Sequence, residues 1–456
     1  MIYLSCIRGD FMDIKEQAKL FAVKAHMGQV RKSEPDKPKI MHTISVGNLL
    51  QYYGYDDNVV AAGYLHDVDE DTEYTIRDIE SLFRGDVATL VMGASEPDKS
   101  LSWEERKSHT IKEVKNLSFR NKLVVCADKI NNLEDLLITF LKNGKKDFSA
   151  FKRGEEQQKW YYESVYESLV YPDYADLPIF KRLKNVIEYV FEEKEDLFLK
   201  NTIFGDNQAY YEKLKQLHAK KVELERLKAL CDLDRPYVIE FSGTPRTGKT
   251  TTINNLCDFF KKGGFSVKVV EEFTTSKYYK ETLKDEYKKV STKERNVKIL
   301  NQIYEQLKNS ISSNCDIILI DRSINDRQIW NYELYNKGEM EEDFYLNLRD
   351  KYSAISKEFI DFLVITYTDA LTSLKRDYNS SLSLESRSFL NVSNIEEYNN
   401  SVLALKDLFD KSVDNVLLFD TTMTDSNAVA IESASLIMDD IRKKYIKSFV
   451  KKYNLK

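Results

Sequence analysis

Apolar residues in the first two hundred positions recur three and four apart. Ala18, Phe21, Ala22 and Ala25 form one set, Val46, Leu49, Leu50 and Tyr53 a second, and Val59, Ala62, Gly63 and His66 a third. Such spacing puts each set on one face of a helix. Few segments here alternate as strands do, so residues 1–200 read as an all-α domain. After Pro236 the pattern changes. Short β-branched runs stand at 237–242, 267–270, 316–320, 362–366 and 416–419, separated by longer helical segments. That alternation predicts a parallel sheet covered by helices on both faces. The expected fold is multidomain: an all-α domain at 1–200, a helical linker at 201–235, and an α/β domain at 236–456. Within the linker, 205–230 is charged and amphipathic, with Leu214, Leu217, Val222, Leu224 and Leu227 on one stripe. The stripe suits a linker helix packed on one domain, or a dimer helix or arm, so a homo-oligomer stays open.

Composition narrows the function classes. Lys+Arg is 68 and Asp+Glu is 74, a formal net charge of −6. A near-balanced chain is not built to hold nucleic acid through phosphate contacts. Hydrophobic residues make up 42%, enough for packed cores. The five cysteines are scattered and never form a C-x-x-C pair, which fits a reducing compartment and gives no thiolate metal site. No uninterrupted apolar run reaches about 18 residues, so no membrane helix is expected. These features predict a soluble cytoplasmic protein whose partners are small molecules.

Gly243 to Thr250 (GTPRTGKT) fits G-x-x-x-x-G-K-[ST], directly after an apolar run and before a helical one. Glycines let the backbone wrap a phosphate, and Gly243 and Gly248 hold those positions. Lys249 is expected to reach the β- and γ-phosphates of ATP or GTP, and Thr250 to ligate Mg²⁺. Asp321 ends a strand where a second Mg²⁺-linked carboxylate is expected. Glu271 and Glu272 follow another strand. They are either acceptors of a substrate hydroxyl proton or solvated loop acids.

The first half carries a second constellation. His66 and Asp67 are adjacent, Glu70 lies four residues after His66, and Asp71 four after Asp67. On a helix those acids fall on the ligands' side, one turn on. His42 and Asp128 complete a mixed nitrogen and oxygen set suited to Mn²⁺, Fe²⁺ or Zn²⁺. Such an ion lowers the pKa of a bound water, and Glu70 or Asp71 can take the proton.

The segments 18–50, 61–83 and 123–136, with ERKSH at 105–109 and QQKWYYESV at 157–165, resemble the HD-type hydrolase domain of RelA/SpoT proteins and their small stand-alone homologues. The resemblance implies a Mn²⁺-dependent guanosine-3′,5′-bis(diphosphate) 3′-pyrophosphohydrolase. It gives His42, His66, Asp67 and Asp128 the ligand roles, and Glu70 and Asp71 the water-activating role. Arg31 and Lys32 match nucleotide contacts, and Lys99 and Asn132 match the phosphate and ribose pocket. A polyphosphate needs such cationic partners on physical grounds as well. The family's Pro-Tyr-Ile-x-His-Pro stands here as Pro38-Lys39-Ile40-Met41-His42-Thr43. In the second half GTPRTGKTT, EEF, LIDRS and ALTSLKRDY…SLESRSF resemble P-loop kinases of the thymidylate and deoxynucleoside kinase branch. That resemblance makes Glu271, Glu272, Arg322, Arg376 and Arg387 kinase candidates. The alternative is a hydrolase of another 3′-phosphorylated nucleotide, regulated by a non-catalytic P-loop switch.

Overall fold

The computed structural model describes residues 12–31, 34–94, 100–149, 151–192, 207–381, 390–424 and 426–455. The chain divides into two compact units, residues 1–232 with 445–456, and residues 233–444.

The first unit is helical: α1 (Ile14–Ala25), α2 (Ile40–Tyr52), α3 (Asp57–Leu65), α4 (Val68–Asp71), α5 (Ile76–Met92), α6 (Trp103–Asn116), α7 (Phe119–Asn143), α8 (Glu155–Val170), α9 (Pro178–Phe191) and α10 (Gln208–Lys228). Local chemistry sets several of these ends. The Asp56 side chain accepts from the Asn58 and Val59 amides and caps α3. Ser118 caps α7, and Gly144, at φ 69°, ends it. The apolar sets at 18–25, 46–53 and 59–66 fall on helices up to their last members Tyr53 and His66, which stand at the helix ends, with Ala18, Phe21, Val46, Leu50, Val59 and Ala62 buried. α10 packs on α7 through Leu217, Leu224 and Leu227, which are buried.

α2 and α3 approach closely because glycine stands at their crossing. A Cβ on Gly47 would lie 2.2 Å from the Tyr64 ring, and one on Gly63 would lie 3.0 Å from the Gly47 Cα. These helices carry His42 and lead into His66, so the crossing sets the spacing of the two imidazoles.

The second unit holds a five-stranded parallel sheet, in the order β2-β3-β1-β4-β5. The strands are β1 (Tyr237–Gly243), β2 (Val267–Val270), β3 (Ile317–Asp321), β4 (Phe362–Tyr367) and β5 (Asn415–Asp420). Each coincides with one of the β-branched runs, to within a residue at either end. Between and after them run α11 (Lys249–Lys262), α12 (Lys284–Lys288), α13 (Thr292–Ile311), α14 (Ile324–Asn336), α15 (Glu342–Phe359), α16 (Ala370–Ser381), α17 (Val392–Ala404), α18 (Lys406–Ser412) and α19 (Ser426–Lys452). β1 is buried along its whole length at the centre of the sheet. Phe241 pairs with Asp321 and Gly243 with Thr366, so Gly243 and Asp321 stand at the strands' carboxyl ends, where doubly wound sheets bind ligands. No helix among the described residues is long and apolar enough to cross a membrane.

Gly47→Ala should cost the first unit about 1–3 kcal/mol by overpacking against Tyr64. The loss would be read as a lower urea midpoint; an unchanged midpoint would show that the crossing has slack.

Candidate functional site

Three places in the first unit converge on one point. His42 sits in the first turn of α2, and Asp128 lies midway along α7. His66 and Asp67 occupy the break between α3 and α4, not the body of a helix. His42 Nε2 is 3.2 Å from Asp128 Oδ1 and 3.7 Å from Asp67 Oδ2. His66 Nε2 is 3.2 Å from Asp67 Oδ1 and 3.7 Å from Asp128 Oδ1. His42, His66 and Asp128 each offer a ligand atom within 4.8 Å of the others.

The far side of each ring is anchored. His66 Nδ1 donates to the Gly63 carbonyl at 2.9 Å, which leaves the neutral ring's lone pair on Nε2. His42 Nδ1 meets Asn131 Oδ1 at 2.7 Å. Both Nε2 atoms therefore point at carboxylate oxygens. Burial disfavours a charged His66, yet Asp67 and Asp128 outweigh it and raise the ring to about 9. Burial likewise opposes ionised Asp67, but His66, His42 and Lys39 hold it well below the usual carboxylate range. Asp128 is held low against burial by Lys129, His42 and His66. The point thus favours a positive charge, and its mixed nitrogen and oxygen donors fit a divalent cation.

Above it lies a cleft of about 440 Å³. Its wall includes Arg31, Lys39, Arg106, Lys107, Lys129 and Lys152, with Trp103, Tyr161 and Tyr162. Glu70 lines it too, whereas Asp71 is ion-paired with Lys39. Asn132 donates to Asp128 Oδ1 at 2.6 Å, and Lys129 contacts Asp128 Oδ2 at 2.7 Å. Arg31 contacts Asp135 Oδ2 at 2.6 Å. Lys32 and Lys99 lie outside the described residues. Sequence spacing alone gives no signal for Lys39 or Lys129, and none for individual roles of Arg106, Tyr161 and Tyr162 within 105–109 and 157–165. His26 is buried, with its Nδ1 at 2.9 Å from Gln29 Oε1, and is not among the three residues whose ligand atoms converge.

In the second unit the glycine loop closes around its own lysine. Lys249 Nζ donates to the carbonyls of Gly243 (2.9 Å) and Thr244 (2.7 Å). Gly243 has φ 124°, and a Cβ there would sit 1.8 Å from the Thr366 carbonyl oxygen, so only glycine fits. Gly248, at φ 89°, starts α11. Thr250 donates to Asp321 Oδ2 at 3.0 Å, which brings the two expected Mg²⁺ groups together. Arg322, with φ 55°, reaches the Gly243 carbonyl at 2.8 Å and Asp326 at 3.3 Å. Glu272 is half-buried, and burial raises its carboxyl; Glu271 is exposed. Arg376 is turned to Thr421, donating to its carbonyl at 2.7 Å. Arg387 lies outside the described residues. Residue reasoning also missed Glu240. This carboxylate on β1 accepts from the amides of Ser323, Asn325 and Asp326 and so holds the start of α14, just after Asp321 and Arg322.

A paired-histidine, paired-aspartate centre on helices, followed by a phosphate loop on a parallel sheet, defines an HD-type unit joined to a P-loop unit. A family model described as an HD domain matches residues 18–147, and one described as an AAA domain matches residues 238–356. The guanosine-3′,5′-bis(diphosphate) 3′-pyrophosphohydrolase MESH1 of Drosophila melanogaster is 39% identical over 120 residues, 26% of this chain and 66% of that protein. Its namesake from Xenopus tropicalis is 38% identical over 122 residues, 26% of this chain and 68% of that protein. The chain thus spans about two thirds of the length of these relatives. A solved deoxyadenosine kinase from M. mycoides with bound dATP is 20% identical, with TM-score 0.31, over 44% of this chain and 97% of that one. Through its N-terminal unit the chain belongs to the HD-domain family that includes the MESH1 hydrolases.

The Glu240 clamp carries a pH signature. Burial raises its carboxyl to about 7 despite the amide bonds. Between the unfolded value near 4.5 and about 7 the folded state binds the extra proton, so stability falls as pH rises, by up to about 3 kcal/mol. Urea titrations read by Trp330, on a Trp103→Phe, Trp160→Phe background, should show that slope. Glu240→Gln should reduce it to the part that Glu333, also raised to about 7, supplies; a slope equal in both proteins would assign the effect elsewhere.

Proposed function

We propose that the N-terminal unit is a Mn²⁺-dependent (p)ppGpp 3′-pyrophosphohydrolase, and that the C-terminal unit binds ATP or GTP with Mg²⁺ and phosphorylates a nucleoside or nucleotide. The observation that carries the first half is the convergence of His42, His66, Asp67 and Asp128 beneath a cleft lined by cations. These four residues would hold the ion, which when bound supplies Lewis-acid polarisation and a more acidic water.

The chain's own groups account for the rest. Glu70, facing the cleft, takes the proton of the attacking water; Asp71, paired with Lys39, supports it. The water oxygen joins the phosphorus next to the 3′-oxygen. The bond to that oxygen breaks, and the nucleoside 3′-oxygen leaves with a proton while pyrophosphate departs. Arg31, Lys129 and, by resemblance, Lys32 and Lys99 neutralise the phosphates. Asn132 holds Asp128 and lines the sugar side of the cleft. Aromatic Trp103, Tyr161 and Tyr162 offer faces for a base.

For the second half, Gly243, Gly248 and Lys249 would cradle the phosphates, and Thr250 with Asp321 would hold Mg²⁺. Glu272 is the better-placed proton acceptor of the two strand-end acids, being half-buried beside Thr274. Arg322 reaches the loop at the Gly243 carbonyl, and Arg376 and Arg387 complete the candidate set.

Purified protein with Mn²⁺ should convert ppGpp to GDP and pyrophosphate, resolved by ion-exchange chromatography. Asp67→Asn and Asp128→Ala should each lower the rate at least about 100-fold, since even groups behind metal ligands cost 10- to 100-fold. Full activity in either variant refutes the metal centre, and intact ppGpp with turnover of another 3′-phosphorylated nucleotide redirects the substrate.

For the P-loop unit, label from the ATP γ-phosphate should reach an acceptor in a panel of nucleosides and monophosphates, and Lys249→Ala should abolish transfer. Hydrolysis that responds to ATP without consuming it would replace the kinase by a nucleotide switch.

A further inference from the structure

We infer that Arg226, on the connector helix α10, is a positioning residue for the hydrolase cleft, acting on Arg31 through a carboxylate they share. The inference rests on the reading of that cleft as a polyphosphate site. Asp135, one turn past Asn131 and Asn132 on α7, presents two oxygens. Arg31 Nη2 donates to Oδ2 at 2.6 Å, and Arg226 Nη1 stands 3.0 Å from Oδ1 as an ion pair outside hydrogen-bond alignment, with Glu134 at 3.9 Å on its other side. Asp135 is held below the ordinary carboxylate range, against burial, first by Arg226 and then by Arg31.

The division of oxygens has a steric consequence. Arginine and carboxylate prefer a two-point fork when both oxygens are open. With Oδ1 occupied, Arg31 makes a single contact and its other donors remain on the wall of the cleft, which it lines. Remove Arg226 and both oxygens open to Arg31. Its guanidinium then has room to turn, because a cavity of about 40 Å³ lies between Arg31, Asp135 and Arg226. A fork on Asp135 takes Arg31 out of the cleft.

The same face of α10 steadies the loop that carries Arg31. Glu223, one turn before Arg226, is buried and contacts Lys37 and Lys142, each at 2.6 Å. Lys37 is bound to Arg31 through the backbone as well, since the Arg31 amide donates to the Lys37 carbonyl at 2.9 Å. Two charged residues a turn apart on α10 thus hold both the side chain and the backbone of Arg31. In this arrangement α10 acts on the cleft from behind Arg31, without lining it.

The test uses the full chain and two readouts. In Mn²⁺-dependent ppGpp hydrolysis, Arg226→Met should raise KM about tenfold, the scale of one charged contact withdrawn from the phosphates when Arg31 turns away, with kcat within about twofold. Arg226→Lys should stay near wild type, because an ammonium still occupies Oδ1. In the Arg31→Ala background, Arg226→Met should have no further effect. Calorimetric binding of inorganic pyrophosphate with Mn²⁺ should follow the same pattern. Unchanged KM and pyrophosphate affinity in Arg226→Met, or an equal loss in the Arg31→Ala background, overturns the inference. So does a Lys variant as impaired as Met, which would mean packing and not charge. If wild type binds pyrophosphate with this coupling but leaves ppGpp intact, the substrate reading fails and the positioning role stands.

Discussion

Two carboxylates and two imidazoles drawn within a few ångströms cannot share a buried point without positive charge among them. The first unit depends on meeting that condition. The Gly63 carbonyl takes the Nδ1 hydrogen bond of His66 and so turns Nε2 to the centre, where the carboxylates favour a proton or another cation on it. Lys39 and Lys129 approach the carboxylates only from outside, each from beside a ligand. A cation at the centre resolves what the protein's own groups leave strained. Without one, the carboxylates would push His66 to stay protonated.

The surrounding fold serves that point. The centre's members come from sequence positions far apart, and helix crossings alone bring them together. The glycine contact between α2 and α3 therefore bears on the site, since a methyl group at Gly47 would meet the Tyr64 ring on the helix that leads into His66. The cleft above repeats the charge logic with the sign reversed: six cations on its wall suit a polyanion that lies over a cation.

Much of this was legible in the sequence. The period of apolar residues marked the helices, and β-branched runs marked the five strands, because burial on one stripe or on both faces leaves an obligatory pattern. The glycine loop was legible because phosphate wrapping constrains the backbone within eight residues. The convergence of His42, His66, Asp67 and Asp128 was inferable as a set, but not its geometry. The break between α3 and α4 at His66 was read as continuous helix, since no glycine or proline marks it. Glu240 was hidden for a different reason. A carboxylate in the middle of an apolar strand gives no periodic signal, and its partners lie some 80 residues away in sequence on the α14 turn. The Asp135 network was equally silent, because charged residues at helical spacing read as solvated faces until packing puts them together.

The P-loop shows the complementary problem. There buried Lys249 and half-buried Arg322 both donate to the Gly243 carbonyl, and burial with Arg322 nearby lowers Lys249 to about 7. The loop carbonyls carry only partial charge, so they compensate the ammonium incompletely. An anion between the two cations would relieve the repulsion and restore the lysine's charge. The two units are thus opposite solutions to one constraint. One gathers anionic ligands that favour a metal cation, and the other gathers cations that favour a phosphate. In both, the scaffold uses helix termini and tight glycine positions to hold like charges closer than water would allow, and the resulting electrostatic preference has the sign of the ligand proposed for each site.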